Sequence, residues 1–284
     1  MTFPLFVAEV SSNHGQDLSR CIEFIDVSAD IGCDAVKFQL FKVDQLFSIE
    51  ARTARPELEK RKDWELPIEF LPSLKKHCDK RGVQFSCTPF YLDAVKELEP
   101  FVDFYKVASY ELMWHALLEA CAKTGKPLVM STGMATIEEI DDAVNATRAA
   151  GCSNLTLLST ISGYPTPIVE CNLAFINTLR ERYKVKSGWS DHSVNIGVLA
   201  RAVHAYGAST VEFHLDLDGQ GDEFKTGHCW LPEKIESAIK LIKDGFMASG
   251  SAEKILGASE IADREWRADP VDGLRPLKKT RLGL

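Results

Sequence analysis

The chain has 284 residues, 45% of them hydrophobic and 26% charged, with a formal net charge of −8. That length buries a large core and slightly exceeds the roughly 250 residues of a single (β/α)8 domain. The acidic balance excludes nucleic acid and anionic membranes as expected partners, so any anionic substrate must meet a local cationic pocket.

Short β-type runs alternate with helical stretches along the chain. The first strand is predicted over 4–10 and a helix over 17–31, with Asp17 as its N-cap and Gly32 as its stop. A strand over 34–39 precedes a polar segment, 42–66, expected as an inserted helix or a mobile loop and a candidate lid. Helix 67–81 leads to strand 83–87, a helix near 91–98 to strand 103–107, and helix 112–124 to strand 127–131. Thr136 opens T-I-E-E, a capping-box pattern, before helix 137–149. Strand 154–158, helix 170–183, strand 185–189, helix 195–206, strand 209–214 and helix 232–248 complete the set. Strands alternating with helices imply a parallel sheet, and eight such pairs favour a closed (β/α)8 TIM barrel. No G-x-G-x-x-G follows the first strand, against a dinucleotide-binding sheet. The expected organisation is a barrel over 1–248 and a tail or linker stub over 249–284, with the basic GLRPLKKTRLGL at its end.

No apolar run of about 18 residues is present, so no membrane span is expected. The start, MTFPLFVAEV, lacks a basic n-region and a cleavage site, so a cytoplasmic protein is expected. The eight cysteines are scattered without a C-x-x-C pair, as buried reduced thiols would be, and no zinc site built from them is expected.

Every strand-like run ends on a polar residue. In a (β/α)8 barrel the catalytic groups stand at the C-terminal strand ends. Glu212 and His214 share a strand face, and His192 lies just past the neighbouring strand. Two histidines with a carboxylate nearby suit a divalent metal with open coordination positions, whereas a lone histidine is more often structural. Asp222, in the following GQGDE loop, is placed to complete that shell or to bind substrate hydroxyls. Lys37, Gln39 and Lys106 lie in or at the ends of apolar runs, where a lysine needs an anionic partner. They suggest a phosphate or carboxylate site, with hydroxyls from Thr88, Ser109, Ser131 and Ser190 around it. The alternative is internal ion pairing with Glu9 or Glu212. Glu9 and Glu111 are candidate general bases, and Tyr164 of GYPTP either packs against a substrate or belongs to a proline-stabilised turn.

The blocks AEVSSNHG, DAVKFQLF, FSCTPF, YKVASYEL, PLVMSTGMAT, YPTP, GWSDHS and EFHLDLD, in this order, resemble the sialic acid synthase family. That family condenses phosphoenolpyruvate with an amino-sugar aldehyde. The resemblance runs from about residue 5 to 248. It implies that Lys37, Thr88, Lys106, Ser109, Ser131 and Ser190 hold the phosphate and carboxylate of phosphoenolpyruvate. It implies His192 and His214 as ligands to Mn2+ or Mg2+, with Glu9 facing them. Gln39, Phe90, Glu111 and Tyr164 would line the cavity, and Asp222 would contact the sugar. A homodimer is the family expectation. Family members usually carry a C-terminal antifreeze-like cap domain, and this chain stops where that domain would start, so either a separate cap protein as a further partner or an acceptor that needs fewer contacts is expected. Ser162-Gly163 stand where the family often has Asn, and the longer segment GDEFKTGHCWLPE carries His228. The expected reaction gives a 2-keto-3-deoxy sugar acid and phosphate. The alternatives are a metal-dependent sugar isomerase or aldolase that needs no phosphoenolpyruvate, and a non-catalytic sugar-acid binding protein.

Overall fold

Eight parallel strands close on themselves in the computed structural model, which describes residues 3–283. They are β1 (Leu5–Glu9), β2 (Ala35–Leu40), β3 (Gln84–Pro89), β4 (Phe104–Val107), β5 (Leu128–Ser131), β6 (Leu155–Thr160), β7 (Lys186–Asp191) and β8 (Thr210–Leu215). Neighbours pair in chain order and β1 also pairs with β8, which makes the sheet a closed (β/α)8 barrel. A two-residue strand, β9 (Cys229–Trp230), extends β8 at its C-terminal end.

The helices are α1 (Leu18–Asp30), α2 (Val43–Leu46), α3 (Ile49–Ala54), α4 (Leu71–Arg81), α5 (Leu92–Leu98), α6 (His115–Lys123), α7 (Ile137–Ala149), α8 (Phe175–Tyr183), α9 (Ile196–His204), α10 (Asp222–Lys225), α11 (Pro232–Ala248) and α12 (Lys278–Arg281). Asp17 caps α1 through the Ser19 and Arg20 amides, and Gly32 ends it at φ +86°. The capping box at α7 forms as its sequence predicts, with Thr136 and Glu139 exchanging bonds. The helix expected from 170 begins only at Phe175. Residues Ile168–Glu170 form a separate 3-10 turn, and Asn172 at φ +43° breaks the path between them. The 42–66 segment is helical, and Gln16 Nε2 ties it to the loop after β1 by donating to the Lys62 and Glu65 carbonyls.

The period of two along each strand layers the barrel interior. Val7, Ala35, Phe104, Val129 and Leu158 form one buried apolar cluster. Two residues further along four of those strands come Glu9, Lys37, Lys106 and Ser131, all buried. A polar layer therefore sits directly on an apolar one. Register aligns its members, with Glu9 opposite Lys37 and His214, and Ser190 opposite Glu212.

The chain divides into two compact units, one ending at Gly245 and one beginning at Phe246. Within the second, the Asp269 carboxylate accepts the Val271 and Lys278 amides, and Arg281 pairs with Asp272. Among the described residues no helix is long and apolar enough to cross a membrane.

Candidate active site

The C-terminal strand ends bring four charged side chains together inside the barrel. Lys37 Nζ lies 2.7 Å from Glu9 Oε2 and 3.6 Å from Glu212 Oε2, and Lys106 Nζ lies 3.3 Å from Glu212 Oε1. The internal pairing weighed from the sequence is thus formed. Ser190 donates to Glu212 at 3.0 Å, Lys37 to Thr88 at 3.4 Å, and Gln39 to Glu9 at 2.5 Å. Two lysines and two carboxylates leave this polar floor formally neutral.

The two lysines differ. Burial disfavours charge on Lys37, but Glu212 and Glu9 outweigh it and raise its pKa. Burial wins at Lys106, whose pKa falls although Glu212 opposes the change. Burial also opposes ionisation of Glu212, yet Lys106 and then Lys37 keep it ionised. Glu111 stands apart from these pairs. Burial lifts its carboxyl to about 7, against the pull of Lys106, and its Oε2 is buried with no hydrogen-bond partner.

Beside this floor lies a cradle. Ser109 Oγ accepts the Gly133 amide at 3.0 Å. A Cβ at Gly133 would collide with Ser162 Oγ and lie 2.8 Å from Ser109 Oγ, so only glycine leaves the space open. The Ser131 and Ser162 hydroxyls are buried without hydrogen-bond partners. Buried hydroxyls are normally satisfied, so two without partners mark where a polar ligand would bind.

The third part is a cluster of rings. Tyr164 lies 4.2 Å from His192 and 4.9 Å from His228, and the His214 centroid lies 5.3 Å from His192 and 4.7 Å from His228. His214, Glu223, His228 and Cys229 place their donor atoms within 4.8 Å of one another, a group able to hold a metal ion. His192 is not in that group. Its Nδ1 lies 2.8 Å from the Ile161 carbonyl, which can only accept, so Nδ1 carries the proton and Nε2 the lone pair. Burial lowers its pKa to about 3 and keeps the ring neutral. Burial alone would also discharge His214, but contacts with Cys229 and Glu223 raise it to about 10. A metal would replace that proton.

One reading of the sequence is corrected here. Asp222 points to solvent and pairs with Lys225 at 2.8 Å, while its neighbour Glu223 turns inward. Successive helical side chains diverge by about 100°, and nothing in GQGDE said which acid would face in. Cys229 is a buried free thiol, as expected, and its sulfur lies within 4.8 Å of the His214, Glu223 and His228 donor atoms. Glu223 also accepts from Ser11 at 2.5 Å and Ser12 at 2.9 Å, which latches the loop after β8 to the loop after β1. Phe90 packs edge-on against Phe41 at 6.1 Å.

Comparison with known proteins gives a consistent result. A family model described as the NeuB family matches residues 24–254. The chain is 34% identical over 271 residues to an N,N'-diacetyllegionaminic acid synthase of Campylobacter jejuni, covering 90% of this chain and 80% of that one. It is 28% identical to a pseudaminic acid synthase of Helicobacter pylori, covering 97% and 84%. A crystal structure of N-acetylneuraminic acid (sialic acid) synthetase from Leptospira borgpetersenii in complex with citrate superposes with a TM-score of 0.81 at 30% identity. It covers 93% of this chain and 92% of that one.

Proposed function

The chain belongs to the NeuB family, and from that premise we propose that it condenses phosphoenolpyruvate with an amino-sugar aldehyde to give a sialic-acid-like 2-keto-3-deoxy sugar acid and phosphate. One observation carries this reading. Two buried lysines share a barrel layer with Ser131, whose buried hydroxyl, like that of Ser162 beside Gly133, has no protein partner.

Lys37 and Lys106 hold the phosphate and carboxylate of phosphoenolpyruvate, with Thr88, Ser109 and Ser131 donating to its oxygens and Ser190 joining them when it gives up its bond to Glu212. The anion competes with Glu9 and Glu212 for the lysines, so its arrival loosens existing ion pairs rather than filling an empty cationic hole. His192 and His214 face the ion site that this activity implies, and their ring environment suits it. A divalent ion held there would supply positive charge against the incoming anion and would polarise the acceptor's aldehyde oxygen. C3 of phosphoenolpyruvate attacks the aldehyde carbon, C2 becomes electrophilic, and a water adds there before phosphate leaves. Glu111, with its pKa near neutrality and one oxygen free, takes the proton of that water. Gln39 fixes Glu9 beside Lys37, and Phe90 and Tyr164 bound the cavity on the acceptor side.

Phosphate release from phosphoenolpyruvate tests the reading, measured with N-acetylmannosamine and a panel of related amino and neutral sugars, in Mn2+ and then in EDTA. Release that needs both a sugar and the ion establishes the synthase and identifies its acceptor class. Absence of saturable phosphoenolpyruvate binding removes it in favour of an isomerase or aldolase on the same barrel.

A further inference from the structure

The loop between β8 and α11 carries two groups that no reading of His192 and His214 uses. They are Glu223, on the short helix α10, and His228, just before β9. Both turn inward. Glu223 Oε2 lies 3.0 Å from His214 Nδ1 and 3.7 Å from His228 Nε2. Thr226 Oγ spends its one proton on the Glu223 carbonyl at 2.7 Å, and it lies 2.6 Å from His228 Nδ1. Nδ1 therefore donates to Thr226, and Nε2 is the ring nitrogen left facing the Glu223 carboxylate. With His214 and Cys229 these two groups bring their ligating atoms within 4.8 Å of one another.

We infer that His228, Glu223 and Cys229 join His214 as the ligands of one ion, and that the ion is a borderline first-row transition metal rather than Mg2+. The inference deepens the metal-dependent reading above and rests on it. Rings bound to one ion at about 2.1 Å have centroids roughly 5 Å apart at tetrahedral angles; the His214–His228 separation of 4.7 Å and the His192–His214 separation of 5.3 Å both meet this, and the first pair is the one with a carboxylate and a thiol beside it. Two imidazoles, a carboxylate and a thiol form a donor set that Zn2+, Co2+ or Fe2+ accepts and that Mg2+, which prefers oxygen and retained water, does not. Cys229 Sγ accepts the Asn13 amide at 3.7 Å and contacts His214, so it already stands on the ion side of the loop. Because three of the four ligands come from one loop, the ion also fastens that loop over the barrel mouth.

The test is a Co2+ titration of the metal-stripped protein, followed by its visible d–d absorption and its thiolate-to-cobalt charge-transfer band, with Mg2+ as competitor. The wild type is expected to bind Co2+ in the presence of a large excess of Mg2+ and to show both bands. His228→Ala should weaken binding by at least about tenfold. Cys229→Ser should lose the charge-transfer band and keep the d–d absorption, and thermal melts of the metal-free variants report that each is folded. Unchanged Co2+ affinity in His228→Ala, or easy displacement by Mg2+, overturns this ligand set and leaves an ion on His192 and His214 alone. No binding of Co2+ or Mn2+ by the wild type removes the metal-dependent reading beneath it as well.

Discussion

The polar floor and the ring cluster above it are built in opposite ways. Lys37, Lys106, Glu9 and Glu212 stand on four strands whose register is fixed by the barrel, and they satisfy one another with no ligand present. Glu223, His228 and Cys229 come from one loop and its short strand, and they converge on His214 with their ligating atoms within 4.8 Å of one another. A floor of mutually paired charges couples binding to stability, because every member removed strands a buried partner. A loop-borne cluster couples binding to loop position and contributes little to the barrel itself.

Four experiments break or sharpen that contrast. The double variant His192→Ala with His214→Ala should abolish metal-dependent turnover while the protein still melts cooperatively. Retained turnover in a steady-state phosphate assay would remove the ring cluster from the chemistry. Next in size is Lys106→Met. Stranding Glu212 should cost about 3–5 kcal/mol of stability and weaken phosphoenolpyruvate binding by roughly two to three orders of magnitude. Calorimetry and denaturant melts should therefore move together. A binding loss without a stability loss would mean the floor is less tightly coupled than its distances imply.

Glu111→Gln should act in the opposite direction on stability. Its folded pKa of about 7 lies above its ordinary value of 4.5, so the folded protein holds a proton that the unfolded chain has released. That stabilising difference is lost as pH rises from about 4.5 through about 7, at a total of up to about 3 kcal/mol. Denaturant melts across this range should slope downward with pH in the wild type and lie flat in the variant, while the alkaline rise in activity near pH 7 disappears. The smallest effect belongs to Asp222→Ala. Its exposed pair with Lys225 predicts a stability change within about 0.5 kcal/mol and an unchanged Co2+ titration. A weakened titration would show that the loop presents Asp222, not Glu223, in solution.

Much of this site was legible in the chain because strands announce themselves. Lys37, Lys106 and Glu212 interrupt apolar runs, a placement that only a buried partner tolerates, and for the two lysines a spacing of two from inward Ala35 and Phe104 fixes which way they point. The capping signals at Asp17 and Thr136 likewise need only local contacts. The choice between a free anion site and internal pairing was not legible, since it depends on distances across the barrel between residues up to about two hundred positions apart. Nor was Glu223 preferred over Asp222, or His228 and Cys229 counted among the ligating groups. A loop has no period from which direction can be read, and its path here is fixed by bonds to Ser11, Ser12 and Asn13 from the other end of the barrel unit.

By itself, then, the sequence determined the alternation of strands and helices, the closed barrel, and the polar residues of its C-terminal rim, because hydrophobic periodicity and the cost of burying a lone charge act locally. Only the tertiary structure decided which charges neutralise one another and which acid, histidine and thiol meet around His214, because those outcomes depend on barrel closure and on where one loop is latched.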